Sequence, residues 1–347
     1  MVHAAPNNAR FSRRALLSGL GAVAGVLWLC TASAQEPLPP RLQLPLRCTP
    51  NADCWIAKHV DLDPGPGVRD YACGAMANDR HEGVDFALRD LKAMQQGVDV
   101  LAAAGGTVVW ARDGEPDASV RERGKAAVNR RECGNGVALA HGGGWVTQYC
   151  HLRQASTRVR KGERVSAGQP LGRVGLSGLT EYPHLHFMAL HNNRIVDPFG
   201  GETGARCRPA AAPLWQPDVL ARLPYHRGVI YNLGFSGGLP TVEEVRAGNV
   251  RAATLPAATA RLAMWAEVFA VAAGDVLVLK MYAPDGRALM EQKFPFERQQ
   301  ARVLRSVAGT SKSGRWPPGV YRGEAVMQLG AGPASPAPAV EARVELR

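Results

Sequence analysis

Short apolar runs separated by glycine-rich turns recur through the first 200 residues of this 347-residue chain, and they constrain its fold more than any other feature. The clearest case is "GVALAHGGGWVTQYCHL" (136–152), in which two strand-length runs flank glycines 142–144. Glycine readily adopts the positive φ that tight hairpin turns need. Short apolar and β-branched runs between such turns are typical of strands. The pattern predicts a mainly β protein.

Composition changes divide the chain into four predicted parts. We expect a signal segment over 1–34, a proline-rich tether with a short disulfide loop over 35–70, a β domain over 71–208 and an accessory domain over 209–347. In the last part, strand-length runs are separated by "GD", "PDG" and "PPG" turns. That pattern predicts a small antiparallel, immunoglobulin-like β-sandwich.

The N-terminus has the character of an export signal. A basic head without acidic residues precedes a mildly apolar core, and small residues follow that suit cleavage after Ala34. The stretch "SRRALL" (12–17) favours a twin-arginine signal over an ordinary Sec signal, although both stay open. The rest of the chain contains no apolar run long enough for a transmembrane helix. We therefore expect an exported protein of the periplasm or the extracellular space, without a transmembrane segment after signal removal.

The charge of the mature chain is positive. Removal of residues 1–34 takes away three arginines and no acidic residue, which leaves 38 basic and 30 acidic residues and a net charge of +8. A positive surface favours anionic partners such as cell-wall polymers, nucleic acid or lipid. Because we expect export, we expect a wall polymer and no nucleic acid as partner, and a monomer.

Six of the seven cysteines follow the predicted signal, and an even number in an exported chain indicates disulfides. Six cysteines allow fifteen pairings. We favour a local loop and a bridge across the hairpin, which leaves one long-range pair: Cys48–Cys54, Cys133–Cys150 and Cys73–Cys207.

Two histidine motifs indicate chemistry. "HEGVD" places His81 and Asp85 four residues apart, on one side of the chain, and "PHLHF" places His184 and His186 on the same face of a predicted strand. A catalytic zinc site needs three protein ligands and one position open to water. His81 and Asp85 supply two ligands, and either histidine of the second motif supplies the third.

Further motifs follow in the same order along the chain. They are "YCHL", which contains His151, the glycine-turn pattern "VRKGERVSAGQPLG" (159–172) and "GLSG" before the last predicted strand. Over about residues 71–200 the whole series resembles the lysostaphin/LytM-type zinc metallopeptidases. These are peptidoglycan endopeptidases with a duplicated-hybrid-motif, lipoyl-like β-sheet fold.

The resemblance implies roles for five residues. His81, Asp85 and His186 would bind one Zn²⁺ per chain, with water in the fourth position. His151 and His184 would be catalytic without binding the metal, one as general base and the other as oxyanion donor, in an order that the sequence leaves open. The implied activity is hydrolysis of peptide bonds in stem peptides or cross-bridges of peptidoglycan.

Other functions stay open at this point. A catalytically silent cell-wall-binding or amidase-activating protein on the same fold is the main alternative, and the presence of all five residues argues against it. A lipoyl-like carrier would need a lysine at the expected turn, which is missing, and a broader extracellular protease is a further option. We expect the charged segment 113–132 to be a surface loop that either forms one wall of the groove or has no role. Cys150 is expected on the strand face opposite the zinc, and Tyr149 is expected to pack in the core.

Overall fold

The computed structural model describes residues 38–202, 207, 210, 212–330, 335–336 and 339–347, so the predicted signal and its cleavage site lie outside it. Within these residues, no helix combines the length and the apolar character that crossing a bilayer requires.

The first part of the chain is built around one large sheet. Its elements are β1 (Cys54–Lys58), β2 (Val84–Leu88), α1 (Leu91–Gln96), β3 (Asp99–Leu101), β4 (Gly106–Arg112), α2 (Val120–Arg123), a 3₁₀ helix (Lys125–Val128), β5 (Asn135–Gly142), β6 (Trp145–Leu152), β7 (Arg164–Val165), β8 (Pro170–Arg173), β9 (His184–His191), β10 (Arg194–Asp197) and β11 (Gly201–Glu202). The strand order is β1-β2-β9-β6-β5-β4-β7, with β10 beside β9 and β11 beside β10, and β3 pairs separately with β8.

Apolar and polar side chains alternate along these strands, so that one face of the sheet is apolar. Leu185 and Phe187 are fully buried in the core, while His184 and His186 point to the other face. Phe86 lies opposite Leu185 in the neighbouring strand and joins the same core. Burying one face fixes the strand register, because a slip by one residue would turn every apolar side chain outwards. The register therefore also fixes where the polar face presents its histidines.

Residues 38–70, predicted as a tether, are part of this core. Strand β1 pairs with β2 at the edge of the sheet, and Leu42, Leu46 and Leu62 are almost completely buried. The proline content suggested an extended linker, but the apolar residues between the prolines pack against the sheet. The tether interpretation is therefore corrected for these residues, while the short Cys48–Cys54 loop within them is present.

The second part of the chain contains short helices and two main sheets. Its elements are α3 (Pro217–Leu220), β12 (His226–Arg227), β13 (Val229–Ser236), α4 (Val242–Ala247), β14 (Thr254–Leu255), β15 (Arg261–Val271), β16 (Val276–Tyr282), β17 (Ala288–Pro295), β18 (Gln300–Thr310), β19 (Gly319–Gln328), β20 (Ser335–Pro336) and β21 (Val340–Leu346). The sheets have the orders β13-β15-β18 and β14-β21-β19-β16-β17, and β12 pairs with β20.

These two sheets share one apolar core. Phe235 and Met264 come from the three-stranded sheet, while Leu279, Tyr321 and Val344 come from the five-stranded sheet, and all five are buried together. We call this unit, Val229–Leu346, the C-terminal sandwich. The mainly β prediction is confirmed, and the immunoglobulin-like character of the sandwich stays a prediction.

All three favoured disulfides are present. Cys48–Cys54, Cys73–Cys207 and Cys133–Cys150 are bonded. The last bridge connects the segment before β5 to β6, across the predicted hairpin.

Candidate metal centre

Three neighbouring strands align the polar groups of the site. In the antiparallel registers, Asp85 of β2 lies opposite His186 of β9, and His186 lies opposite Cys150 of β6. Side chains of directly opposed residues share a face of the sheet. Two residues earlier on β9, His184 projects from the same face. The carboxylate and both imidazoles of the predicted site are thus brought together by sheet geometry.

His81 enters the site from the loop that precedes β2. Its Nε2 atom lies 3.1 Å from Asp85 Oδ1, and His186 Nδ1 lies 2.9 Å from the same oxygen. The three ligand atoms all lie within 4.8 Å of one another. Four ligands around a tetrahedral zinc, each about 2.0–2.2 Å from the metal, are themselves about 3.3–3.6 Å apart. The donor set, two imidazole nitrogens and one carboxylate oxygen, therefore fits a zinc-type centre.

Another cluster of possible ligands among the described residues lies at Cys48, Asp53 and Cys54. Its two sulfurs are bonded to each other in a disulfide, so they offer no thiolate. The histidine–aspartate cluster is the better candidate metal centre.

Gly83 allows His186 to approach the strand. A Cβ atom at this position would lie 2.8 Å from two atoms of the His186 ring and 2.7 Å from the carbonyl oxygen of Phe187. Neither contact is tolerable, since real Cβ atoms stay beyond about 3 Å from other heavy atoms. The glycine of "HEGVD" therefore has a specific role that its sequence context did not reveal.

Backbone carbonyls orient three of the four histidines. His81 Nδ1 lies 2.7 Å from the carbonyl of His59, His151 Nδ1 lies 2.8 Å from that of Ser177, and His184 Nδ1 lies 3.0 Å from that of Tyr182. A carbonyl oxygen only accepts, so Nδ1 carries the proton in each ring. The Nε2 lone pair of each ring is left for the site, as is usual where a second contact fixes a metal-site histidine.

His151 reaches the site through a β-bulge. Asn135 pairs with Leu152 and Gly136 pairs with Cys150, so His151 is an extra residue on β6. Its φ is +64°, a left-handed conformation that is uncommon outside glycine. Bulges occur next to active sites, where they redirect a side chain. Here the bulge turns the His151 ring towards His184, with 4.7 Å between the ring centroids.

The bulge also overturns the prediction for Cys150. Because side chains alternate between the two faces of a regular strand, the sequence predicts Cys150 on the face away from the site. In the structure, Cys150 pairs with His186 of the neighbouring strand and lines the groove together with Cys133. The extra residue shifts the alternation, so Cys150 and His151 both face the groove. Tyr149 packs in the core as expected, with its hydroxyl accepting from the backbone N–H of Ala103.

Burial and charge determine the protonation of the site. Burial alone would raise the pKa of the Asp85 carboxyl, but the imidazoles of His81, His184 and His186 hold that pKa well below its usual value. Burial lowers the pKa of His186 and, more strongly, of His151. At neutral pH the site therefore offers an anionic Asp85 carboxylate and neutral imidazoles at His186 and His151.

Two residues near the carboxylate were not singled out from the sequence. Lys58 of β1 places its Nζ atom 3.8 Å from Asp85 Oδ2, and the hydroxyl of Tyr182 lies 3.5 Å from the same oxygen. Asp85 thus presents Oδ1 to the histidines and Oδ2 to these two groups. Lys58 lies in the stretch interpreted as a tether, and Tyr182 precedes the His-x-His motif, so no pattern marked either one.

The centre lies in a groove with contributions from distant segments. The predicted surface loop supplies Val120, Arg121, Lys125 and Glu132, and the C-terminal sandwich supplies Arg246, Phe269, Gln300, Ala301 and Arg302. Residues 113–132 therefore form part of the groove wall, which was one of the two expectations for this segment. They also contain the short helix α2 and a 3₁₀ turn.

A comparison with protein families identifies the part of the chain that holds the centre. Residues 79–198 match the family model described as peptidase family M23. This chain contains a peptidase family M23 domain. The matched range includes all five predicted site residues, and the resemblance to the lysostaphin/LytM-type peptidases is confirmed.

Curated relatives match the same region. The peptidoglycan DD-endopeptidase ShyA of Vibrio cholerae is 32% identical over 117 residues, which are 34% of this chain and 22% of that protein. The cell division protein DipM of Caulobacter vibrioides is 36% identical over 102 residues, 29% of this chain and 14% of that protein. The chain thus spans less than a quarter of the length of either relative.

Solved structures of the M23 group are also similar in part. The catalytic domain of the antimicrobial peptidase lysostaphin from Staphylococcus simulans is 23% identical, with a TM-score of 0.26. That match covers 41% of this chain and 85% of the other. At this score the similarity adds no structural argument to the family match.

Proposed function

We propose that this protein is an exported zinc endopeptidase that hydrolyses peptide bonds in the stem peptides or cross-bridges of peptidoglycan. The observation that carries the proposal is the convergence of His81, Asp85 and His186 within one groove, with His151 and His184 beside them. An M23 domain without catalysis would have no need for all five groups in this arrangement. The names of relatives such as ShyA supply the substrate class.

His81, Asp85 and His186 would hold the metal. Bound zinc lowers the pKa of a water molecule to about 7 and polarises a carbonyl group. The protein fixes its ligands beforehand: His81 is held by the His59 carbonyl, and His186 is confined beside Gly83. The buried anionic Asp85 supplies the negative charge that offsets part of the metal's charge.

His151 and His184 would move the proton and stabilise the developing oxyanion. Both keep Nδ1–H on a backbone carbonyl, so Nε2 is the atom that meets substrate. A neutral imidazole can take a proton from the attacking water, and an imidazolium can deliver it to the leaving amine. The other ring can donate to the tetrahedral oxyanion. The two Nδ1 contacts support this sharing of roles.

The proposed partner and location follow from charge and from the N-terminus. The mature net charge of +8 suits a polymer whose peptides carry free carboxylates. The basic head and small-residue cleavage site of residues 1–34 support export to the periplasm or beyond. We propose that the protein acts there as a monomer on peptidoglycan, with one zinc per chain.

Mass analysis of fragments released from purified peptidoglycan tests the proposal. The purified protein should release peptide-cleaved fragments, a chelator should stop the release, and added zinc should restore it. The masses identify the bond that is cut. Zinc-loaded protein that binds peptidoglycan and releases nothing would contradict the proposal and favour the silent wall-binding or amidase-activating function. Equal activity on an unrelated protein substrate would favour the broader protease.

A further inference from the structure

The C-terminal sandwich contributes directly to the groove. Phe269 on β15 and Gln300–Arg302 on β18 line it together with His184 and Asp85. The sandwich is also packed against the M23 sheet through an apolar cluster. Trp55, Ala57 and Ala87 of the sheet meet Val229, Tyr231 and Phe269 of the sandwich in this cluster. The sandwich is therefore fixed beside the candidate metal centre.

Tyr182 lies between the sandwich and the centre. Its ring stacks on that of His184, with centroids 4.6 Å apart and planes inclined by 29°. Its carbonyl faces His184 Nδ1, and its hydroxyl lies 3.5 Å from Asp85 Oδ2. The same residue thus contacts one proposed catalytic histidine at two places and a proposed metal ligand at a third.

Tyr182 also contacts the C-terminal sandwich. The Phe269 ring centroid lies 5.8 Å from that of Tyr182, and the Arg302 guanidinium lies 5.4 Å from the Tyr182 centroid. A guanidinium within about 6 Å of a ring centroid is attracted by the ring's electrons. While these contacts persist, they restrict rotation of the Tyr182 ring away from His184.

Arg302 is itself immobilised. It forms an ion pair with the buried Glu267, with 3.1 Å between Nε and Oε1, and it donates to the hydroxyl of Tyr231. Its guanidinium also lies 5.3 Å from the Tyr231 centroid and 5.8 Å from that of Phe269. Its Nη2 atom also donates to Glu267 Oε2 over 3.2 Å, so Arg302 acts as a fixed support.

We propose that the C-terminal sandwich is an integral part of the catalytic groove and that Tyr182 is the positioning residue through which the sandwich holds His184. The inference rests on the proposed endopeptidase function and deepens it. It predicts that contacts made from β15 and β18 control turnover through Tyr182.

The test compares four full-length variants with the wild type. Tyr182→Leu removes the stacking ring, Tyr182→Phe removes only the long hydroxyl contact, and Arg302→Lys removes the planar guanidinium while keeping its charge. Arg322→Lys is the matched control, since Arg322 pairs with Glu341 and Glu324 in the five-stranded sheet, away from the groove residues. Zinc content, melting temperature, and kcat and KM on a purified peptidoglycan fragment are measured for each.

Tyr182→Leu should lower kcat by about 10- to 100-fold, as loss of a group that orients a site residue does, with KM and zinc content unchanged. Arg302→Lys should lower kcat in the same way by a smaller factor. Tyr182→Phe, which keeps the stacking ring, should lose less kcat than Tyr182→Leu, and Arg322→Lys should keep the wild-type kcat. A purely structural role would lower the melting temperature without a selective loss of kcat.

Two outcomes separate the inference from the proposed function. Inactive wild-type protein carrying zinc would contradict the endopeptidase function itself. Active wild type with unchanged kcat in folded Tyr182→Leu would overturn the positioning role. If Tyr182→Leu does not fold, Arg302→Lys decides, because unchanged kcat in that variant would exclude control by the sandwich.

Discussion

At the scale of residues, the four histidines of the site differ in what their Nδ1 atoms contact. Three rings donate Nδ1–H to a carbonyl and keep Nε2 for the site, whereas His186 turns Nδ1 towards Asp85. His186 can do so because Gly83 leaves room for its ring. The pair in "HLH" is therefore unequal although both residues share one strand face.

Replacing each histidine of that pair separately should show the inequality. His186→Ala should lose zinc, because a ligand atom 2.9 Å from Asp85 Oδ1 disappears. His184→Ala should keep zinc and lose turnover by about 100-fold or more, the scale of a general acid–base group. Zinc content by mass spectrometry and fragment release measure both effects. Equal zinc loss in the two variants would show that the assignment within the pair is wrong.

Adding one methyl group at Gly83 should disturb the centre. Gly83→Ala places a Cβ atom 2.8 Å from the His186 ring, so the ring must shift, and overpacking of this kind costs about 1–3 kcal/mol. We expect a lower melting temperature together with weaker zinc retention. Gly238→Ala is the control, since a Cβ atom there meets no atom within 4 Å. Full zinc retention in Gly83→Ala would refute the packing argument.

At the scale of elements, strand β6 combines a bulge with a disulfide. The bulge at His151 is closed by a hydrogen bond from its N–H to the carbonyl of Cys133, and Cys133 is bonded to Cys150. The covalent bridge and the hydrogen bond thus hold the same two segments together. We infer that the disulfide maintains the conformation that directs His151 into the groove.

Removing this bridge should therefore affect activity as well as stability. Cys133→Ala/Cys150→Ala opens a loop with a sequence separation of 17 residues and should cost about 3 kcal/mol. Fragment release should fall even at temperatures where the variant stays folded. Cys48→Ala/Cys54→Ala opens a loop with a separation of 6 and should cost about 2 kcal/mol without changing kcat. Equal kcat in both double variants would contradict a role of the bridge at His151.

The bulge at His151 is a feature that the sequence did not predict, unlike much of the site around it. The hairpin, the three disulfides and the proximity of the five proposed site residues could be predicted, because each depends on residue type, spacing or a family motif. The face of Cys150 could not, since alternation assumes a regular strand and nothing in "YCHL" signals an extra residue. The sequence did not mark Lys58 and Tyr182 for another reason: they adjoin the site through contacts between segments far apart in the chain.

At the scale of the whole molecule, stability should depend on pH through a buried carboxyl. Asp197, the last residue of β10, is almost completely buried, and burial raises its pKa to about 7 although the backbone N–H of Phe199 donates to it. In the unfolded chain its pKa is near 3.8. The folded protein therefore binds a proton more tightly, and this contribution to stability is lost as pH rises from about 4 to 7.

Asp197→Asn should remove that dependence. A shift of about three units corresponds to about 4 kcal/mol at most, part of which the unpartnered amide of Asn would offset. Relative to wild type, the free energy of unfolding of the variant should increase between pH 5 and pH 8. Denaturant titrations at both pH values measure the change, with the exposed Asp218→Asn as control. A difference between variant and wild type that is the same at both pH values would exclude Asp197 as the titrating group.

The position of strand β21 within its sheet determines when the C-terminal sandwich can form during synthesis. This strand, Val340–Leu346, lies between β14 and β19, so the five-stranded sheet cannot close before it has been synthesised. Chains grow by about 5–20 residues per second, and some 160 residues separate His186 from Leu346, which takes on the order of 10 to 30 s. Under the proposed role of Tyr182, the nascent chain carries every metal ligand during that interval but lacks the support for turnover. Hydrolytic activity would thus begin only after β21 has been synthesised and has joined its sheet.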